Sequence, residues 1–486
     1  MLVLRGIIIG FLLAISSVVT AQTAFYKQYS SNGYDYGNGI CQTADTGYLI
    51  TGGSTSFTDG PSEMYLLKLD SLGAFQWSKH YGGNESDVGV RVKTIPGYAH
   101  FIAGYTNSFG NGAYDFMLLK TDLSGNQIWH QTYGTSAWER VYDAALTKDS
   151  GMVIVGETTN TIDGESDIFI IRTDKEGNEV WTKQIGSSGP DLAKVIVADQ
   201  DSTFVVAGQK YVADSSMYKG WVVRIDHHGN ILWEKNLGKN GNCVLNDAVI
   251  DDNGQIAVVG MVVRPQGDTL IFEGKGLPSG YFGIETQAKL DGIVYYEGLA
   301  KFGSSDRYVT VQRFDNQYSY GGFDLSIAQN YSGLSWEMNI GQVNYIHDEL
   351  MGEVIHTKDN GAIVVGSITD SWMGGSNVFV FKFYFGQSFT NSNDDHTTQP
   401  IASVTTIYNS LVSVYPNPFS DQLNISFDKE SIKTVAFYSI SGVLVKEFQL
   451  NGSQFVDVST LSSGSYLMML WNDQKQVVGQ ARVVKN

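Results

Sequence analysis

Residues 115–134 read DFMLLKTDLSGNQIWHQTYG, and the same pattern stands at 63–82 (EMYLLKLDSLGAFQWSKHYG), 167–186 (DIFIIRTDKEGNEVWTKQIG) and 219–238 (KGWVVRIDHHGNILWEKNLG). Each copy is an apolar run, a D-x-x-G turn and a second extended run that carries one tryptophan. Trp77, Trp129, Trp181 and Trp233 are 52 residues apart, as are Gly73, Gly125, Gly177 and Gly229 in the turn, and Asp70, Asp122, Asp174 and Asp226 before it. Several independent columns at one period mark a tandem-repeat architecture.

Before each copy stands a nearly unbroken apolar run ending in glycine: YLITG, HFIAG, MVIVG, TFVVAG and, one unit later, QIAVVG. Such a run suits a strand buried on both faces. A further strand, for example ERVYDAAL, precedes it. Four antiparallel strands in about 50 residues is the size of a propeller blade. Fourth strands are marked by Phe25, Trp77, Trp129, Trp181, Trp233, a degenerate copy near Gly298–Gly303, and Trp336, which predicts seven blades. The last unit ends on its third strand, VFVFKFYF, whereas FYKQYS at the N-terminus has the fourth-strand pattern with nothing before it. Residues 24–30 are therefore expected to complete the last blade and remove an open edge. The expected fold class is all-β: a seven-bladed β-propeller over 22–387 followed by a small antiparallel β-sandwich.

The turn Asp122-x-x-Gly125-x-x-x-Trp129 resembles the tryptophan-docking turn of PQQ-type propellers, in which the Trp packs between neighbouring blades; the spacing here is one residue shorter between Asp and Gly. That resemblance implies blade packing for the Trp column.

The two ends read differently. Arg5, the apolar run Ile7–Val19 and the small residues Val19-Thr20-Ala21 have the form of a signal peptide, with cleavage expected between Ala21 and Gln22. No later stretch is apolar and long enough to span a membrane once that segment is removed. Residues 388–410 are polar and without pattern, as in a linker. Residues 411–486 alternate apolar positions with Ser-Gly turns. Tyr415-Pro416-Asn417-Pro418, then Ser441-Gly442, then Leu461-Ser462-Ser463-Gly464-Ser465-Tyr466, and Lys485 beside the C-terminus resemble, in order and spacing, the type A C-terminal sorting domain of the type IX secretion system. The resemblance implies transport through the outer membrane by that machinery, removal of the domain, and release or attachment of the cargo at the surface.

The chain has 486 residues and a net charge of −18, which repels nucleic acid and suits solubility outside the cell. Cys41 and Cys243 lie in different repeats, and two cysteines make no disulfide framework, so buried thiols are expected.

Few columns suggest chemistry. Asp35, Asp87, Glu139 and Asp191 share a register near the start of the innermost strands. Facing one end of the channel, they would form a carboxylate ring able to take calcium or a basic ligand; alternatively each is a capping residue copied with the repeat. Lys68, Lys120, Arg172 and Arg224 form a basic column on the third strand, and Lys27, Lys79, Lys183 and Lys235 one on the fourth, both read as solvated charge ladders. The repeat blurs between 261 and 320, a stretch with Arg264, Tyr281, Tyr295, Tyr296, Arg307, Arg313, Tyr318 and Tyr320, where function could be grafted or the repeat has decayed. His227-His228 sits in a turn without a second ligand pair.

No G-x-S-x-G, H-E-x-x-H or phosphate loop stands in the chain. No catalytic residue and no cofactor is therefore expected. Three functions compete: a secreted or surface-attached binding protein for glycan, peptide or another surface component; an exported quinoprotein-like enzyme or hydrolase; and a scaffold or stalk.

Overall fold

The computed structural model describes residues 24–485 apart from 31–32, 57–60, 160–164, 240, 289–292, 303–306, 316–322, 332–333, 340–346, 371–374, 385–396, 401–411, 416–421, 428–431, 440–443, 451–453 and 473–476. Among the described residues the elements are strands, with one 3₁₀ turn at Ala213–Ser215.

Blade 1 is an antiparallel meander of Asp35–Gln42, Tyr48–Ser54, Glu63–Leu69 and Phe75–Tyr81. Blades 2–6 repeat it, their innermost strands being Asp87–Ile95, Trp138–Leu146, Leu192–Ala198, Asn242–Ile250 and Ile293–Phe302. These six blades are each continuous in sequence. The seventh sheet is a composite: His347–His356, Ala362–Asp370 and Gly375–Phe383 from the end of the ring, and Phe25–Ser30 from its start. In that sheet Phe25 lies opposite Lys382 and Tyr29 opposite Val378. Each innermost strand touches the next round the ring, and Asp35–Gln42 touches His347–His356. Inside the segment expected to be a pure linker, Thr397–Pro400 pairs in parallel with Phe25–Ser30 as a fifth strand.

Local chemistry explains the repetition. Second and third strands are buried on both faces, which is why they read as apolar runs. Outermost strands such as Phe75–Tyr81 are largely exposed. Their Trp side chains are half-buried and dock on the turn of the following blade. A Cβ on Gly125 would stand 2.7 Å from the Trp77 ring, and one on Gly177 would stand 2.7 Å from Trp129. These turn glycines also hold φ near +80°, where a side chain is strained. The Asp of each turn accepts backbone N–H bonds two and four residues on, as Asp122 does from Ser124 (2.9 Å) and Asn126 (2.8 Å).

Two expectations need correction. The fourth strand of blade 5 is Phe282–Ala288, whereas Gly298–Gly303 falls at the innermost strand of blade 6 and the segment after it. Blade 5 has its ordinary turn, with Leu277 N donating to Tyr281 O and Gly280 at φ +82°. Leu277 replaces the Asp and Ile284 the Trp, so the side-chain columns vanish while the backbone turn stays. The third-strand cations are not solvated either. Lys68, Lys120 and Arg224 are buried, because they reach back to the turn between the two innermost strands or to its neighbours. Lys68 pairs with Asp45 (2.9 Å), Arg172 with Asp149 (2.6 Å) and Arg224 with Asp199 (2.6 Å), while Lys120 donates to Tyr98 Oη (2.6 Å).

The C-terminal unit holds two sheets. One is Val412–Tyr415, Gln422–Phe427 and Gln454–Asp457; the other is Leu444–Gln449, Ile432–Ser439, Gly464–Asn472 and Val477–Lys485. Leu423, Ile425, Phe437, Val456, Met468 and Val483 share its core. Tyr466 is buried and donates through its hydroxyl to Ser462 O (2.7 Å), and Lys485 is buried near the chain end. Gly464 begins its strand. Pro416, Asn417, Pro418 and Gly442 lie outside the described residues, as do Ala21, Gln22, Tyr318 and Tyr320.

Candidate ligand-binding site

Every innermost strand carries one register shift: after Gly37, Gly89, Val141, Ala193, Leu245, Tyr296 and Met351. The residue beyond the shift faces the channel, as a bulge re-aims its neighbours. In blades 2, 3, 5 and 7 this residue is Arg91, Asp143, Asp247 and Glu353. Together with Lys93 they line a cavity of about 360 Å³.

These charges hold blades to one another. Arg91 Nε donates to Asp143 Oδ1 (2.8 Å) and Arg91 Nη1 to Asn38 O (3.0 Å), spanning blades 1 to 3. Lys93 Nζ meets Glu353 Oε1 (3.2 Å). Each carboxylate also accepts a backbone N–H from the following blade: Asp143 from Ile196 (2.8 Å), Asp247 from Leu299 (2.7 Å) and Glu353 from Ile40 (2.8 Å). Burial opposes the charge on Arg91 and on Lys93, but the facing carboxylates outweigh it and raise both above their ordinary values. Asp247 is pushed up to about 7, first by burial and further by the Asp143 carboxylate, with N–H donors from Leu299 and Ala248 acting against them. Burial pushes the Cys41 thiol up to about 12. Neither cysteine forms a disulfide among the described residues; Cys243 is buried and Cys41 half-buried.

Toward the ends where the innermost strands begin, the lining changes. A second cavity of about 140 Å³ is bounded by Asn38, Tyr105, Arg140, Tyr142 and Met351 among others. The Arg140 guanidinium stands 5.5 Å from the Tyr105 ring and 5.6 Å from the Tyr142 ring. Lys194 Nζ stands 4.0 Å over the Tyr142 ring. Tyr114 packs edge-on to Tyr105 (5.5 Å) and to Trp138 (5.9 Å), which extends the aromatic surface. Tyr142 donates to Glu157 Oε1 (2.6 Å), and burial and that carboxylate push its pKa up, so it stays a phenol. Cations stacked on aromatic rings give a surface that offers π faces and positive charge together.

The structure scatters Asp35, Asp87, Glu139 and Asp191 among successive blade junctions. Asp35 accepts from Ser54 (2.5 Å) and Ser56 (3.0 Å), Asp87 from Thr106 and Ser108, Glu139 from Thr135 (2.7 Å) and Thr158 (2.8 Å), and Asp191 from Ser187 (3.0 Å) and Tyr211 N (2.7 Å). None is hydrogen-bonded to another member of the column, and none lines either cavity. Of the 261–320 stretch, Arg264 pairs with Asp268 inside its own hairpin and Tyr281 is exposed. Among the described residues no group of three or more His, Cys, Asp or Glu is placed to hold a metal. The channel residues escaped the sequence reading because their column is mixed: 39, 91, 143, 195 and 247 are Gly, Arg, Asp, Val and Asp. A position on the innermost strand that keeps the period and changes its charge was the available signal.

Residues 413–485 match the model of the secretion system C-terminal sorting domain family. This sorting tail directs export by the type IX secretion system to the cell surface or beyond it. No curated protein matches the chain. Among solved structures it is similar to the WD40 domain of Neurospora crassa Pan2 (11% identity, 74% of this chain and 99% of that one, TM-score 0.42). It is also similar to the β-propeller domain of the trilobed protease from Pyrococcus furiosus (11% identity, 75% and 97%, TM-score 0.41). A third similarity is to a polysaccharide lyase, an ulvan lyase (11% identity, 75% and 98%, TM-score 0.47). Among the described residues no helix is long and apolar enough to cross a membrane.

Proposed function

We propose that this exported propeller, delivered by its sorting domain, is a non-catalytic binding module that takes an acidic carbohydrate at the mouth formed by Tyr105, Arg140, Tyr142 and Lys194. The observation that carries the reading is the stacking of two cations on tyrosine rings beside a cavity, a local positive patch that works against the chain's overall charge of −18. Aromatic faces pack against the C–H faces of sugar rings, and a guanidinium and an ammonium beside them complement sugar carboxylates. Deeper in the channel, Arg91, Lys93, Asp143 and Glu353 are engaged in contacts between blades, which favours a rigid frame over a reacting group.

The test is calorimetric titration of the full mature chain with polygalacturonate, with dextran as the neutral control. Binding of the acidic polymer alone is expected. Tyr142→Ala and Arg140→Ala should each weaken it roughly tenfold, the worth of about 1–2 kcal/mol for one stacked contact. Equal binding of dextran, or affinity untouched by both variants, would refute the reading. An enzymatic reading draws on one observation, the proton-binding Asp247 in the larger cavity. Shortening of the polymer by the wild type and not by Asp247→Asn would favour it.

A further inference from the structure

At the start of each innermost strand the chain crosses from one blade to the next, and three junctions bring two acids into one register: Glu63 with Asp87, Asp115 with Glu139, and Asp167 with Asp191. At the fourth junction the same two positions hold Lys219 and Cys243. There the Lys219 ammonium lies among backbone carbonyls of the crossing loop, with Gly238 O at 3.2 Å, Lys239 O at 3.4 Å and Gly241 O at 3.4 Å. The loss of both acids coincides with the arrival of a built-in cation in the loop.

The junction between blades 2 and 3 has the acids and lacks such a lysine. Asp115 is 2% exposed and Glu139 is fully buried. Asp115 Oδ2 accepts from the backbone of Asn111 (3.0 Å) and Gly112 (3.2 Å), and Glu139 Oε1 accepts from Thr135 and Thr158. Glu139 Oε2 is buried without a hydrogen-bond partner. A Cβ on Gly134 would stand 2.1 Å from Asp115 Oδ1 and 2.7 Å from Glu139 Oε2, so the two remaining oxygens face one another across a bare glycine. The crossing loop passes close by: a Cβ on Gly112, whose N–H binds Asp115 Oδ2, would stand 2.3 Å from Ala137 O and 3.1 Å from Thr135 O. Thr135 and Ala137 occupy the loop positions of Lys239 and Gly241, whose carbonyls hold the ammonium two junctions later.

We propose that the junction of Asp115, Glu139 and the crossing-loop carbonyls binds a calcium ion. Two carboxylate oxygens, peptide carbonyls and water are the donors that this hard cation takes, at six to eight per ion. Two buried carboxylates without a cation repel each other, and burial together with Glu139 does raise the pKa of Asp115. A divalent cation removes that repulsion and clamps the third strand of blade 2 to the first strand of blade 3. Zinc suits the site less well, since it prefers nitrogen and sulfur ligands.

The experiment uses the full mature chain, stripped with chelator and titrated with calcium alone by calorimetry, and separately with terbium excited through tryptophan, since Trp138 adjoins Glu139. Bound calcium, a raised melting temperature and sensitised terbium emission displaced by calcium are expected. Glu139→Gln should lose one equivalent of calcium or weaken it at least tenfold. Asp115→Asn, which keeps the hydrogen-bonding shape of its side chain, serves as the second variant should the first misfold. Absence of calcium binding in the wild type, or stoichiometry and affinity unchanged in a folded variant, would overturn the proposal.

Discussion

Asp247 accepts N–H bonds from Leu299 and Ala248 at the junction of blades 5 and 6, and its burial beside Asp143 lifts its pKa to about 7. In the folded chain it holds a proton that the unfolded chain has released above the ordinary carboxylate range. Stability therefore falls as pH rises from that range to about 7, and stays level above it. The full effect is on the order of 4 kcal/mol, an upper bound for a site that can relax. Asp247→Asn cannot titrate, so the drop in melting temperature between pH 5 and pH 8 should shrink in the variant. An equal drop in both proteins would show that Asp247 is not the group responsible. Individual residues were the least legible level. The column of Asp35, Asp87, Glu139 and Asp191 was visible because it repeats, and its members accept hydrogen bonds at successive junctions. Arg91, Asp143 and Glu353 were hidden because the blades use opposite charges to hold each other, and Asp247 because its column is mixed. The pairing of buried Lys68 with Asp45 and of buried Arg224 with Asp199 was equally hidden, since period alone does not tell a solvated face from a turn that folds over it.

Strands and turns were far more legible. The D-x-x-G turn and its Trp follow from backbone geometry and from one large side chain that must be covered, so both repeat wherever the packing repeats. Blade 5 shows the limit. Once Leu277 and Ile284 replace the Asp and Trp, the turn survives on Gly280 alone, and the strand after it cannot be found from side chains. The closing strand was readable from the mismatch of the two ends. Phe25–Ser30 contributes Tyr29, which is 1% exposed and donates to Gly73 O of the next blade (2.5 Å). Losing one such buried aromatic costs about 3 kcal/mol, and the unpaired edge of Gly375–Phe383 adds to that. Deleting residues 22–30 should lower the melting temperature by at least about 5 °C. An unchanged melting temperature would mean that the ring does not depend on this strand.

At the scale of the whole chain, two units divide the work. The propeller is a frame closed by strand pairing and by ion pairs across the channel, with its stacked tyrosines and cations at one mouth. The sorting domain is a small two-sheet unit that supplies the address. Of its motif residues, Gly464 opens the strand Gly464–Asn472 and Tyr466 follows in it, a strand start that a Ser-Gly turn signal marks in the sequence. Ligand choice was not legible, because Tyr105, Arg140, Tyr142 and Lys194 come from three blades and meet only when the ring forms. The most direct measurement compares cells making the full chain with cells making it without residues 411–486, fractionated, with mass spectrometry of the protein's termini. Full-length protein should reach the surface or the medium, beginning at Gln22 and stripped of the sorting domain, while the truncated form stays in the periplasm. Both forms in the periplasm, with the sorting domain intact on the longer one, would contradict delivery to the outside and with it an extracellular ligand for the propeller.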